Sequence, residues 1–268
     1  MAAGKEPPSM KFEAAGAGGP VILVPGGLTG WLSWKPHAEQ LSSRYCVVRV
    51  QLLSIDLGLR NKAIPFNYSV DFETNALQRT LDQIGIPKAD FVAWSYGAEI
   101  ALNLALNNPD RIRTLTLIEP PAIWVLRSQG HLSEELLKQQ KEIQSLGPRD
   151  ISEAQLVWFS HFAGFVPEGT DPRKLPQWPL WFQHRQSLRT GDVVFRHQDS
   201  IKRVRNFKPP VLLFKGEGSA GFLHQIIDVL GEEFPNAQTE TLPGGHAPQL
   251  VSMEQFMKIL TKFWTSTI

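Results

Sequence analysis

In the stretch Phe91-Val92-Ala93-Trp94-Ser95-Tyr96-Gly97-Ala98-Glu99 a serine stands between two bulky aromatics, with a small residue two places to either side. The apolar run 90–94 ahead of it reads as a buried strand. From Tyr96 onward the chain is rich in good helix formers and stops before Pro109. A serine on so sharp a strand-to-helix turn needs small residues nearby, because larger ones would collide, and the turn lifts its hydroxyl above the sheet. The helix N-terminus beside it favours negative charge. Those features fit a nucleophile attacking a carbonyl; the plainer alternative is a hydroxyl that caps a helix.

A serine hydroxyl is too weakly acidic to attack unaided at neutral pH, so it needs a base. The best placed of the seven histidines is His246, in Leu242-Pro243-Gly244-Gly245-His246-Ala247-Pro248. It follows the last expected strand on a glycine-rich loop and precedes the final helix. His37 and His224 fall in expected surface helices. His131, His161, His184 and His197 lie in a long insertion, where packing or surface roles suffice.

The elements that must hold these residues alternate. Runs at 20–24, 45–50, 90–94, 114–118 and 211–214 are continuous and β-rich, as strands covered on both faces should be, and 239–242 is a weaker last strand. Helical spacing connects them: Val70, Leu77, Leu81 and Ile84 ahead of Gly85, and Phe256, Ile259, Leu260 and Phe263 near the C-terminus. This alternation predicts an α/β fold with a parallel sheet wrapped by helices. It breaks between about 122 and 208, where the chain offers helical, aromatic-rich stretches and no convincing strand. The domain reading is therefore a core of 1–122 and 208–268, its first dozen residues frayed, with a helical lid over 123–207.

Strand, Pro25-Gly26-Gly27 loop, strand, serine turn, strand, insertion, strand, histidine loop and helix succeed one another in an order that resembles the α/β-hydrolase superfamily, from about residue 18 to 266. The first hairpin of that fold would be shortened or absent here. The resemblance implies a triad in the chain order serine, acid, histidine. It also implies an oxyanion hole from two backbone N–H groups, Tyr96 and Gly27, with Gly26 the fallback. Many relatives place an aspartate after the strand matching 211–214, but this chain has Ser219 there, and Glu217 comes two residues too early. Some branches take the acid from the end of the strand after the nucleophile helix. Here that strand ends in Ile118-Glu119-Pro120-Pro121, so Glu119 is the implied acid.

Composition narrows the partners. Lys and Arg total 27 against 26 Asp and Glu, a formal net charge of +1, so no concentrated basic field points to nucleic acid or a membrane surface. No run reaches the ~20 apolar residues of a membrane helix, and the N-terminus lacks a signal-peptide apolar core. The single cysteine, Cys46, makes no internal disulfide and is expected to be buried; a reducing cytoplasm fits. Neither metal-ligand spacing nor a dinucleotide fingerprint is present, so no cofactor is expected. A small apolar or aromatic substrate is expected, in a pocket drawn from Gly26, Trp94, Trp124, Trp158 and Trp181. The basic run 202–208 reads as a solvated face or as a partner for an anionic substrate tail. The reading is a serine hydrolase of an ester, lactone or thioester. Its rival is a lyase, cofactor-free oxygenase, cyclase or ligand receptor on the same fold, with His246 as base or the pocket used for binding only.

Overall fold

The structure, a computed structural model, describes residues 6–146 and 150–266. Seven strands form one sheet: β1 (Lys11–Ala15), β2 (Pro20–Val24), β3 (Cys46–Gln51), β4 (Ala89–Trp94), β5 (Ile112–Ile118), β6 (Val211–Gly216) and β7 (Ala237–Leu242). Their spatial order is β1-β3-β2-β4-β5-β6-β7. Only the β1–β3 pair is antiparallel.

The continuous apolar runs are explained by burial on both faces. Ile22 and Val24 of β2, Phe91 and Ala93 of β4, and Leu115 and Leu117 of β5 pack with the helices Val70–Gln83 and Tyr96–Asn107. Their neighbours Val21, Leu23, Val92, Trp94 and Ile118 point the other way, onto Trp34, Leu41, Phe256, Leu260 and Phe263. That second layer is the helix Lys35–Leu41 and the C-terminal helix Met253–Ser266. Each such side chain removed from water is worth about 1.5–3 kcal/mol, and the period-2 alternation secures it on both sheet faces.

Parallel strands carry their C-terminal loops on one edge of the sheet. The register brings Val24 beside Ala93, Trp94 beside Ile118 and Ile118 beside Phe214. The loops that begin at Pro25, Ser95, Glu119 and Glu217 therefore emerge side by side. Between β5 and β6 every described element is helical, from Ile123–Ser128 to Ile201–Asn206, and residues 147–149 of this stretch lie outside the described residues.

Three expectations need correction. The first dozen residues are not all frayed, although 1–5 lie outside the described residues. Met10 is buried, its N–H donates to Thr80 Oγ1 at 2.8 Å, and β1 starts at Lys11. His37 is not on a surface helix face: it is fully buried, against Trp34 and Phe256, with Nε2 donating to the Gln249 carbonyl at 3.0 Å. Cys46 is half-buried at the start of β3 rather than enclosed.

Candidate active site

Ser95 sits at the tip of β4 with φ 54° and ψ −128°. Three non-glycine residues among those described have positive φ, and two of them are Ser95 and Glu119. Such a conformation costs on the order of 1–3 kcal/mol and persists only where the surroundings enforce it. Here they do. The Ser95 N–H donates to Ile118 O at 2.8 Å, and the Ser95 carbonyl accepts from the Ala98 and Glu99 N–H groups at 2.8 and 3.2 Å. Gly97 lets the new helix approach β2: a Cβ there would lie 2.3 Å from the Pro25 carbonyl oxygen. Alanine at 93 is accommodated inside β4.

A continuous hydrogen-bonded chain starts at the Ser95 hydroxyl. His246 Nε2 lies 2.7 Å from Ser95 Oγ, and His246 Nδ1 lies 2.6 Å from Glu119 Oε2. A carboxylate only accepts, so Nδ1 carries the proton and Nε2 is left bare toward the serine. Glu119 is fully buried and His246 nearly so. The other Glu119 oxygen accepts from the Gly216 N–H at 2.7 Å and from Ser219 Oγ at 2.5 Å. Ser219, at the place where relatives are expected to carry an aspartate, thus donates to the glutamate. Glu217 is exposed, and its N–H is spent on Leu242 O.

The imidazole is held from outside these three residues as well. The His246 N–H donates to Gly164 O at 2.8 Å, and its carbonyl accepts from Trp94 Nε1 at 2.6 Å. Phe165 stands edge-on to the ring, with centroids 4.9 Å apart. Neither Gly164 nor Phe165 carries a sequence signal beyond lying in the aromatic insertion. Two other histidines are held elsewhere, His224 on Gly216 O and His184 on Leu28 O.

Beside the serine, a Cβ built on Gly27 would lie 3.9 Å from Tyr96 Cβ, so the two backbones are neighbours. Neither the Gly27 nor the Tyr96 N–H has an acceptor among the described residues. Gly26 packs beneath: a Cβ there would come within 3.2 Å of Ser95 Cβ. Behind Tyr96, its hydroxyl lies 3.2 Å from that of Tyr68, which donates to buried Glu73 at 2.6 Å. Glu73 also accepts from the Leu53 and Ser54 N–H groups, at the start of the helix Leu53–Leu59. Burial raises the Glu73 carboxyl and both tyrosines above their usual ranges.

A cavity with an empty volume of about 850 Å³, counting its mouth, opens over Ser95 and His246. Gly27 and Tyr96 form its floor, while Phe159, Phe162, Phe165, Leu188, Val194 and Phe195 supply insertion walls. None of its described lining residues is Lys, Arg, Asp or Glu. The five residues named from the sequence as pocket walls are not among them. Trp94 lies on the opposite face of the sheet, and Trp124 is buried with Nε1 donating to Glu99 Oε1 at 3.0 Å. Trp158 stacks behind Phe162 and Trp181 lies tilted behind Phe165, with centroids 5.3 Å apart in each pair. The tryptophans back the phenylalanines that face the cavity. The basic run 202–208 also stays away: Arg203 pairs with Asp199 and Arg205 with Glu233. Among the described residues no cluster of three or more His, Cys, Asp or Glu could hold a metal ion, and no helix is long and apolar enough to cross a membrane.

Comparison with known proteins agrees with this architecture. The family model described as the alpha/beta hydrolase fold matches residues 19–252. The chain belongs to the α/β-hydrolase fold family. Over 94% of this α/β-hydrolase and 93% of the relative, it is 24% identical to a protein of Azorhizobium caulinodans named "Putative carbamate hydrolase RutD". A stretch covering 39% of the chain and 37% of the relative is 31% identical to a 2-hydroxymuconate semialdehyde hydrolase of Pseudomonas sp.. Among solved structures, a thermophilic esterase from Thermogutta terrifontis superposes with a TM-score of 0.78 at 18% identity, over 96% of this chain and 93% of that one. Relatives named hydrolases and esterases support hydrolase activity in this α/β-hydrolase.

Proposed function

We propose that the protein is a serine hydrolase that cleaves an ester, lactone or thioester of a largely apolar small molecule through an acyl-enzyme intermediate. The observation that carries this reading is the unbroken chain Ser95 Oγ–His246–Glu119, with distances of 2.7 and 2.6 Å. Ser95 Oγ attacks the carbonyl carbon as His246 Nε2 takes its proton. Glu119 keeps the imidazole in the tautomer that can accept it and stabilises the imidazolium that results. The free N–H groups of Gly27 and Tyr96 receive the negative charge on the carbonyl oxygen, a contribution of about 3 kcal/mol per donor in comparable sites. His246 returns the proton to the leaving oxygen or sulfur. It then draws one from water, which releases the acid and frees Ser95.

The cavity supports the apolar part of the reading. Its walls are aliphatic and aromatic, and no charged side chain waits for a substrate carboxylate or ammonium. An ionised group buried there would be left without a partner. The carbamate named for the RutD relative belongs to the same carbonyl chemistry.

The test is covalent. A fluorophosphonate should add one adduct to the intact protein, seen by mass, and the adduct should disappear in Ser95→Ala and His246→Ala. Folded wild-type protein that takes no adduct overturns the reading.

A further inference from the structure

The helical insertion does more than roof the cavity. The loop Pro25-Gly26-Gly27, which supplies one of the two free N–H groups, has two successive glycines and so no side chain to fix its own peptide planes. Its carbonyls are fixed from outside, by the insertion. Ser187 Oγ donates to Gly27 O at 2.5 Å, and His184 Nδ1 donates to Leu28 O at 3.0 Å. Both side chains are buried, at 2% and 4% exposure, and Ser187 lines the cavity beside Gly27. The two bonds tether the peptides that follow Gly27 and Leu28 to the insertion, and with them the course of the loop that carries the Gly27 N–H.

We propose that Ser187 is a positioning residue: by holding the Gly27 carbonyl, its hydroxyl anchors the loop just after the Gly27 N–H and so fixes the direction in which that N–H faces the transition state. The inference rests on the serine-hydrolase reading above. The insertion reaches the base as well, through Gly164 O on the His246 N–H. Both working loops therefore lean on the same inserted helices, and the insertion belongs to the catalytic geometry as well as to substrate selection.

The effect should fall on the transition state and not on substrate binding. Steady-state hydrolysis of a short p-nitrophenyl ester is compared for wild type, Ser187→Ala, Ser187→Cys and Ser187→Thr, beside the rate of fluorophosphonate labelling and the melting temperature. Ser187→Ala should lose on the order of ten- to a hundredfold in kcat, with KM within about twofold and the same proportional loss in labelling rate. Ser187→Thr, which keeps the hydroxyl, should recover most of both. If Ser187→Ala does not fold, Ser187→Cys carries the test: it preserves volume but is a weak donor, and it should be slow while threonine is fast. A kcat for Ser187→Ala or Ser187→Cys within twofold of wild type, or a loss confined to KM, overturns the positioning role and leaves the hydrolase reading standing. Wild-type protein that takes no adduct at all overturns both.

Discussion

Glu119 holds a backbone conformation that glutamate rarely adopts, φ 45°, at a site with no exposure to solvent. Four contacts fix it there. Its N–H reaches Phe214 O, and its two carboxylate oxygens accept from Gly216, Ser219 and His246. Every one of those three side-chain bonds needs an acceptor. Glu119→Gln replaces one oxygen with an NH₂ group, so a donor must face either His246 Nδ1 or the Gly216–Ser219 pair. If it faces His246, the imidazole takes the wrong tautomer and its bare nitrogen turns from the serine. The expected outcome is a loss of about 10³- to 10⁴-fold in kcat with the far-ultraviolet circular dichroism of wild type. Turnover near the wild-type rate would remove Glu119 from the proton chain.

At the scale of elements, the site depends on how closely β2, β4 and the helix after Ser95 approach. Gly97 is the contact point, since a Cβ there would meet Pro25 O at 2.3 Å and the Val24 carbonyl carbon at 2.9 Å. Backbone atoms cannot swing aside as a side chain can. Gly97→Ala should therefore push the helix off β2 or displace the loop that bears Gly27, at a cost of about 1–3 kcal/mol in urea unfolding. Phosphonate labelling should slow in parallel; an unfolding midpoint and labelling rate equal to wild type would show that the approach has slack. This junction was legible in the sequence because small residues flank the serine and the runs on either side change period from strand to helix. Glu119 was legible through the resemblance: with no acid at 219, some branches of the fold take it from the tip of this strand, on the same sheet edge as Ser95. The edge strand β1 was not: all five of its residues are exposed, so pairing with β3 sets it and no hydrophobic pattern marks it. Aromatic content in the insertion also misled the reading of the pocket. Tryptophan and phenylalanine are both apolar in the sequence, and only packing places the larger rings behind the smaller. Ser187, Gly164 and Phe165 carried no signal, since their roles come from contacts across 160, 82 and 81 residues of chain.

For the molecule as a whole, buried ionisable groups tie stability to pH from two directions. His37 is enclosed among aromatic rings, and burial lowers it from 6.5 to about 4. The unfolded chain then binds the proton that the native state refuses, so this contribution is complete above pH 6.5 and is lost as pH falls toward 4. Glu99 acts in the opposite sense. It is fully buried one helical turn beyond Ser95, and burial raises its carboxyl from 4.5 to about 8, with Asp199 adding to the rise and the Trp124 N–H opposing it. His197, itself lowered by burial, faces it with Nε2 at 3.8 Å. The unfolded chain releases this proton first, so the contribution is complete below pH 4.5 and is lost as pH rises through 8. Between pH 6.5 and 8 the His37 contribution is flat, and Glu99 is losing its own. Glu99→Gln mimics the protonated carboxyl in shape and cannot ionise. Its free energy of unfolding in urea should therefore fall less steeply than that of wild type across this window, with a difference of order a few kcal/mol accumulated by its upper end. Because Trp124 and His197 lie at opposite ends of the insertion, the same titration should set how firmly that insertion is seated on the helix after Ser95 in alkaline solution. Proteolysis within residues 123–207 should accordingly quicken from pH 6.5 to 8 in wild type and not in Glu99→Gln. Parallel stability curves for the two proteins would assign the alkaline loss to other groups and remove Glu99 from this role.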